Sequence, residues 1–138
     1  MKLLNKKYTL LTLLYLALIF IQSSIPSNKI PQIKILSSDK IIHAGIYFIA
    51  TLLIYLAIRE HQVLKSNKIA WMTFIITAVY GITDEIHQYF VQGRDSNIFD
   101  FFADVVGILL GLLVVHIFRR KWQIKIKERQ KKQQNLPA

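Results

Sequence analysis

Residues 39–58 have the sequence DKIIHAGIYFIATLLIYLAI, and this stretch decides the fold class. Between Lys40 and Arg59 it contains no formal charge, and His43 is the one basic side chain inside it. A helix needs about 20 apolar residues to cross the hydrocarbon core of a bilayer. A surface helix of a small water-soluble protein needs a polar face, which this stretch lacks. We therefore predict a membrane-spanning helix at residues 39–58.

Three further apolar segments of similar length occur in the chain, at residues 8–25, 69–90 and 98–118. Turn-forming residues separate the segments, among them Pro26, Pro31 and Gly93. The chain of 138 residues has the length of one domain, and its lack of cysteine excludes disulfides and thiolate metal sites. The pattern predicts an all-α integral membrane protein with four transmembrane helices in a small bundle. The membrane domain would occupy residues 1–118 and a basic tail residues 119–138.

The distribution of basic residues predicts the orientation of this bundle. If the N-terminus is cytoplasmic, 14 of the 18 Lys and Arg residues fall on the cytoplasmic side. The four on the outer side are Lys29, Lys34, Lys40 and Arg94. Because Lys and Arg in short loops stay in the cytoplasm, we expect a multi-pass protein of the cell membrane with both termini cytoplasmic. An alternative is that residues 1–24 are a cleaved signal peptide, which would not reverse the other three helices.

The tail is strongly basic, with eight Lys and Arg residues and one Glu between residues 119 and 132. Anionic lipid attracts such a segment by about 1 kcal/mol per basic residue, so membrane lipid is an expected partner. The high net charge of +10 could also suggest nucleic acid. However, the charge is concentrated beside a membrane helix and no nucleic-acid-binding module is recognisable. We expect no nucleic-acid partner.

The acidic residues are concentrated near the predicted outward ends of the helices. Six of the eight lie there: Asp39, Asp84, Glu85, Asp95, Asp100 and Asp104. A rise of 1.5 Å per residue puts His43, Asp84 and Asp104 about 6–9 Å inside their helix ends. An exposed charge at the bilayer centre costs roughly 2.5–3.5 kcal/mol, so such groups normally face the bundle interior and each other. We therefore predict an outward-facing polar pocket.

Helical spacing places several of these side chains on shared faces. His43 follows Asp39 by four residues and Tyr47 follows His43 by four, so the three share one face of their helix. Asp100 and Asp104 are spaced in the same way in the last segment. The predicted pocket therefore has contributions from more than one helix.

These residues resemble the motifs of the VanZ-like family of bacterial membrane proteins. The resemblance rests on DKIIH at residues 39–43, EIHQ at residues 85–88 followed by Gly93-Arg94, and Asp100 with Gly107, and it spans residues 39–111. It implies a role in cell-envelope biology, and the best-known members of the family are associated with resistance to the lipoglycopeptide teicoplanin. Many members have Asn at the position of Asp104.

The first functional interpretation is a binding site for an anionic ligand. Lys40 and Arg94 would bind a phosphate or carboxylate, Arg by its two-pronged geometry. The polar remainder of the ligand would bond to Asp39, Glu85, Gln88 and Asp100, and Asp104 is a further candidate ligand-binding residue. A lipid-linked cell-wall precursor or a lipoglycopeptide would fit. The structural alternative is that Lys40 and Arg94 only neutralise acidic partners and fix helix register.

The second interpretation is a membrane-embedded hydrolase or transferase that acts on a lipid-linked envelope substrate. Glu85 or His43 would be the general acid or base, with Asp39 as a third candidate catalytic residue. The sequence has no recognisable nucleophile motif, so the chemistry would use water or a group of the substrate. A third interpretation, a divalent metal bound by His43, His87 and carboxylates, has the least support. We expect no metal and no cofactor, and the sequence leaves catalysis and oligomeric state open.

Overall fold

The described residues fold into four α-helices and contain no other regular structure. The computed structural model describes residues 6–26, 38–61, 66–94 and 97–134. The helices are α1 (Lys7–Ser23), α2 (Ser38–Glu60), α3 (Ser66–Tyr89) and α4 (Ile98–Gln134). The predicted all-α membrane fold is confirmed. The predicted turn at Pro31 and the charges at Lys29, Lys34 and Asp95 lie outside the described residues.

Three of the helices contain stretches long and apolar enough to cross a membrane: Asp39–Glu60, Asn67–Tyr89 and Ile98–Ile126. Helix α1 is also apolar but has 17 residues, the lower end of the length that can span a bilayer. Helix α4 continues beyond its apolar part, past Phe118 to Gln134. The Lys, Arg, Gln and Glu residues there are good helix formers, which explains why the helix does not end with the apolar segment.

The distribution of side chains in the bundle is the reverse of that in a water-soluble protein. Large apolar side chains such as Leu13 and Leu109 are exposed, whereas Thr51, Thr73 and Thr77 are completely buried. Each of these three threonine hydroxyls donates a hydrogen bond to the carbonyl four residues earlier. A bundle surrounded by lipid must satisfy its polar groups internally and can expose its apolar ones. The packing therefore agrees with a membrane environment.

Helices α2 and α4 pack on each other more extensively than any other described pair. Two glycines of α4 make this possible. A Cβ atom built on Gly107 would overlap the backbone carbonyl of Ala44, and one on Gly111 would lie 2.9 Å from Cβ of Thr51. Small residues four apart allow helix backbones to approach closely in membranes. This close approach brings the first turns of α2 and α4 together.

Both ends of α1 are held by side chains from distant parts of the chain. At its N-terminus the Glu60 carboxylate accepts hydrogen bonds from the backbone N–H groups of Tyr8 (3.5 Å) and Thr9 (3.2 Å). The first N–H groups of a helix have no partner within the helix, and Glu60 provides one.

At the other end of the bundle, α1 and α3 finish where α2 and α4 begin. We call this end of the bundle the site end.

Candidate functional site

Three ionisable side chains from three different helices meet inside the site end. His43 of α2 places Nδ1 3.0 Å from Oδ1 of Asp104 in α4 and 3.9 Å from Oε1 of Glu85 in α3. Asp104 is 0% exposed and Glu85 is 8% exposed. One ligand-type atom from each residue lies within 4.8 Å of those of the other two. We call these three residues the buried triad.

A second layer of polar contacts surrounds the buried triad. Gln88 donates a hydrogen bond from Nε2 to Oδ2 of Asp84 at 3.0 Å, and both side chains are buried. Oε2 of Glu85 accepts a hydrogen bond from the backbone N–H of Asn97 at 3.3 Å. Because Asn97 directly precedes α4, this bond ties the end of α3 to the start of α4. Gln88, a predicted ligand-binding residue, thus contacts an acid of the same helix.

The predicted residues Lys40 and Asp100 lie at the rim of the site end. Their Nζ and Oδ1 atoms are 3.4 Å apart, and the side chains are 44% and 14% exposed. Lys40 precedes His43 by three residues and Asp100 precedes Asp104 by four, so the pair lies about one helical turn from the triad. Asp39, the third candidate catalytic residue, is exposed and does not belong to the triad.

Arg94, the second predicted anion ligand, is directed at the end of α1. Its Nε donates a hydrogen bond to the carbonyl of Ile25 at 3.1 Å, and its Nη2 donates to that of Gln22 at 2.7 Å. These carbonyls lie at the C-terminal end of α1, where helices leave acceptors available, and that of Gln22 also accepts from the backbone N–H of Ile25 at 3.2 Å. Gly93 has a φ of 74°, which a glycine adopts readily and which turns the chain toward α1. The role of Arg94 in anion binding stays a prediction.

His87 lies outside the buried triad. Its Nε2 is 2.9 Å from the hydroxyl of Ser24, and its ring stacks on Phe20 with 4.6 Å between ring centroids. The third interpretation put His43 and His87 in one metal site, but the residues grouped with His43 are Glu85 and Asp104. The reason is rotational: His87 follows Glu85 by two residues, which places it on a different face of α3.

The structure adds Tyr47 to the surroundings of the site. Its side chain is 1% exposed, and its hydroxyl has no hydrogen-bond partner within the described part of the chain. A Cβ atom built on Gly81 would lie 3.3 Å from both Oδ2 of Asp104 and Cε1 of Tyr47. The spacing of Tyr47 four residues after His43 indicated a shared face but gave it no role. Gly81, four residues before Glu85, is the sequence feature that could have indicated close packing of another helix at this level of α3.

The fold and this site define an integral membrane protein with an ionisable centre buried between three helices. The chain belongs to the VanZ/LLP1 family, whose sequence model matches residues 8–119. It is also similar to the uncharacterized protein C11E3.10 of Schizosaccharomyces pombe (strain 972 / ATCC 24843), with 26% identity over 98 residues. That alignment covers 70% of this chain and 58% of the fission-yeast protein, so the chain spans less than two thirds of that relative. No solved structure matches the chain.

Proposed function

We propose that this protein binds the anionic head of a lipid-linked molecule at the outer face of the cell membrane. The observation that carries the proposal is the order of charged groups along the helix axes at the site end, with a cation outermost and the buried triad deeper. Lys40 is half-exposed at the rim, and the buried triad lies about one turn deeper. Ionisable groups inside a membrane bundle are costly and normally mark a binding or reaction site. The lipid part of the ligand would remain in the bilayer beside the exposed apolar side chains of the helices.

The ligand class follows from where the cation is placed. A phosphate or carboxylate at the membrane surface can reach Lys40, and Asp100 keeps the Lys40 ammonium at the rim at a distance of 3.4 Å. Polar groups of the ligand that reach deeper meet His43 and the carboxyl groups. A lipid-linked cell-wall precursor has this composition, as does a lipoglycopeptide with its acyl chain. Membership of the VanZ/LLP1 family supports a role in the cell envelope and in teicoplanin-type resistance.

The binding proposal is tested with the full chain reconstituted in lipid nanodiscs. The probe is a polyprenyl phosphate, with the uncharged polyprenol as reference lipid. We expect phosphate-dependent binding, and we expect Lys40→Gln to weaken it at least several-fold, because the cation at the rim is removed. The matched control is Lys68→Gln, since Lys68 is exposed near the start of α3 at the opposite end of the bundle. Equal binding of the phosphate and the polyprenol, or equal loss in both variants, would contradict the proposal.

The cellular role is tested separately by expression in a teicoplanin-sensitive Gram-positive host. We expect wild-type protein to raise the inhibitory concentration of teicoplanin and Lys40→Gln to raise it less at equal protein abundance. Lys68→Gln should behave like the wild type. If wild-type protein does not change the susceptibility, the resistance role is wrong, whereas binding of the lipid probe is judged by the nanodisc measurement.

A further inference from the structure

Among the described residues, the buried triad combines two carboxyl groups with one imidazole. Of the cations described at the site end, Lys40 pairs with Asp100, and Arg94 directs Nε and Nη2 at the carbonyls of α1. Gln88 donates to Asp84 but carries no charge. His43 is the basic group next to Asp104 and Glu85 in the described structure. One imidazole and two carboxyl groups gathered from three helices are a donor set that suits a cation.

The geometry of the triad suits a metal ion. Zn²⁺ and related ions bind imidazole nitrogen and carboxylate oxygen at about 2.0–2.2 Å, so neighbouring ligand atoms are typically about 3–3.5 Å apart. The His43 and Asp104 atoms are 3.0 Å apart, and the His43 and Glu85 atoms are 3.9 Å apart. Small rotations of the Glu85 side chain would bring its carboxylate oxygen to this spacing from the other ligand atoms. The three ligands come from three helices, so an ion between them would also join α2, α3 and α4.

A second observation points to the same place. The hydroxyl of Tyr47 and Oδ2 of Asp104 are both buried and without a hydrogen-bond partner among the described residues. Oδ2 of Asp104 and the Tyr47 ring both lie against Gly81, because a Cβ built there would be 3.3 Å from Oδ2 and 3.6 Å from Cζ, the ring carbon that carries the hydroxyl. Leaving a buried polar atom without a partner is unfavourable, because the atom has lost its hydrogen bonds to water. An ion held by the triad, together with its bound water, would provide these atoms with partners.

We propose that His43, Glu85 and Asp104 bind a divalent transition-metal ion, Zn²⁺ or Mn²⁺, with the Tyr47 hydroxyl beside it. An imidazole with two carboxylates is a donor set that both ions accept, and two negative charges balance the ion. The inference deepens the proposed function, on which it rests for its biological meaning. An acidic centre would repel an anionic ligand, whereas a divalent ion held by that centre attracts a phosphate or carboxylate. The bound ion would thus explain how an anion is accepted above buried acids.

The test measures metal bound to purified full-length protein in detergent. The protein is stripped with a chelator, dialysed against Zn²⁺ or Mn²⁺, and analysed by mass spectrometry of its metal content and by titration calorimetry. We expect about one ion per chain for the wild type. We expect His43→Ala and Asp104→Asn to lower the affinity at least 10-fold. The matched control is His87→Ala, which removes a histidine of the same end that lies outside the triad and should bind like the wild type.

Tyr47→Phe keeps the experiment informative if the triad variants do not fold, because it removes one hydroxyl and keeps the ring. Loss of a group next to the first ligands typically costs 10- to 100-fold in metal affinity, and we expect a weakening of roughly 10-fold here. The metal should also raise the melting temperature of the wild type and of His87→Ala. The proposal is overturned if the wild type binds no ion above the chelator-treated baseline, or if His87→Ala loses as much metal as His43→Ala.

The two proposals fail in different ways. If metal binding is absent but polyprenyl phosphate still binds and Lys40→Gln still weakens this binding, the metal site is wrong and the proposed function stands. If the ion binds with the expected dependence on His43 but the lipid phosphate does not bind, the metal site stands and the proposed function is wrong. Binding of the phosphate lipid that disappears after chelation and returns with Zn²⁺ or Mn²⁺ supports both.

Discussion

Substitution of Gly107 by alanine tests the packing that assembles the site. The Cβ of an alanine there would overlap the carbonyl of Ala44 and would lie 2.9 Å from its carbonyl carbon, whereas ordinary contacts begin at 3.4 Å. Helices α2 and α4 would have to separate by at least 0.5 Å, the difference between these two distances. Such overpacking typically costs about 1–3 kcal/mol of folding free energy. The overlapping atom belongs to the backbone, so a side-chain rotation cannot relieve it.

Gly45→Ala is the matched control for this substitution. Gly45 directly follows Ala44 on α2, but a Cβ built on Gly45 has no atom within 4 Å. Both variants add one methyl group and gain the same helix propensity, roughly 0.5–1 kcal/mol. The difference between the two free energies of unfolding therefore isolates the packing cost. We expect Gly107→Ala to be less stable than Gly45→Ala by about 1–3 kcal/mol.

The assay is reversible unfolding of the purified protein in mixed micelles with increasing SDS, followed by circular dichroism. The same separation acts on the site, because Asp104 precedes Gly107 by one turn of α4. Lengthening the 3.0 Å between His43 and Asp104 by 0.5 Å gives 3.5 Å, at which a hydrogen bond is largely lost. Gly107→Ala should therefore also weaken ligand binding at the site end. Equal stability of Gly107→Ala and Gly45→Ala would refute the close approach of the two helices.

Three further predictions concern topology and the two ends of α1. In intact cells, single cysteines replacing Ser27 and Ser96 should react with an impermeant thiol reagent and one replacing Ser66 should not; labelling at Ser66 would reverse the predicted orientation. Glu60→Ala should lower the melting temperature of the purified protein, because the first N–H groups of α1 lose their acceptor; an unchanged melting temperature would contradict this capping role. Arg94→Lys should also lower the melting temperature, because lysine cannot direct two planar donors at the carbonyls of α1. A variant that melts like the wild type would show that charge alone suffices there.

The sequence predicted the fold because the decisive signal is local. A charge-free run such as residues 41–58 has few ways to avoid water other than a membrane helix, and turn-forming residues separate the four runs. Helical spacing also placed His43, Asp84 and Asp104 at similar depths, since depth depends only on rise per residue. The structure brings His43, Glu85 and Asp104 into one cluster. Of this arrangement, a single sequence predicts the depth of each residue along its helix.

The partners of the polar side chains depend on which helices are neighbours, and a single sequence does not contain that information. Arg94 is 72 residues from Gln22, and Glu60 is 51 residues from Thr9. Neither pairing follows from helical periodicity, which relates residues only a few positions apart. The metal interpretation paired His43 with His87, whereas the orientation of α3 in the bundle places Glu85 beside His43. The order of packing around the bundle decides these contacts.

The energetics of the buried triad support the proposal that it is a binding site. The close contact between α2 and α4 is already made at Gly107 and Gly111. The buried threonine hydroxyls donate hydrogen bonds to carbonyls of their own helices. A carboxylate in such a place adds a desolvation cost, roughly 2.5–3.5 kcal/mol per charge even on lenient membrane scales. Apolar residues of similar volume would make the same packing contacts without that cost, as replacements of buried ion pairs elsewhere have shown. This cost supports the proposal that Glu85 and Asp104 serve ligand binding more than stability.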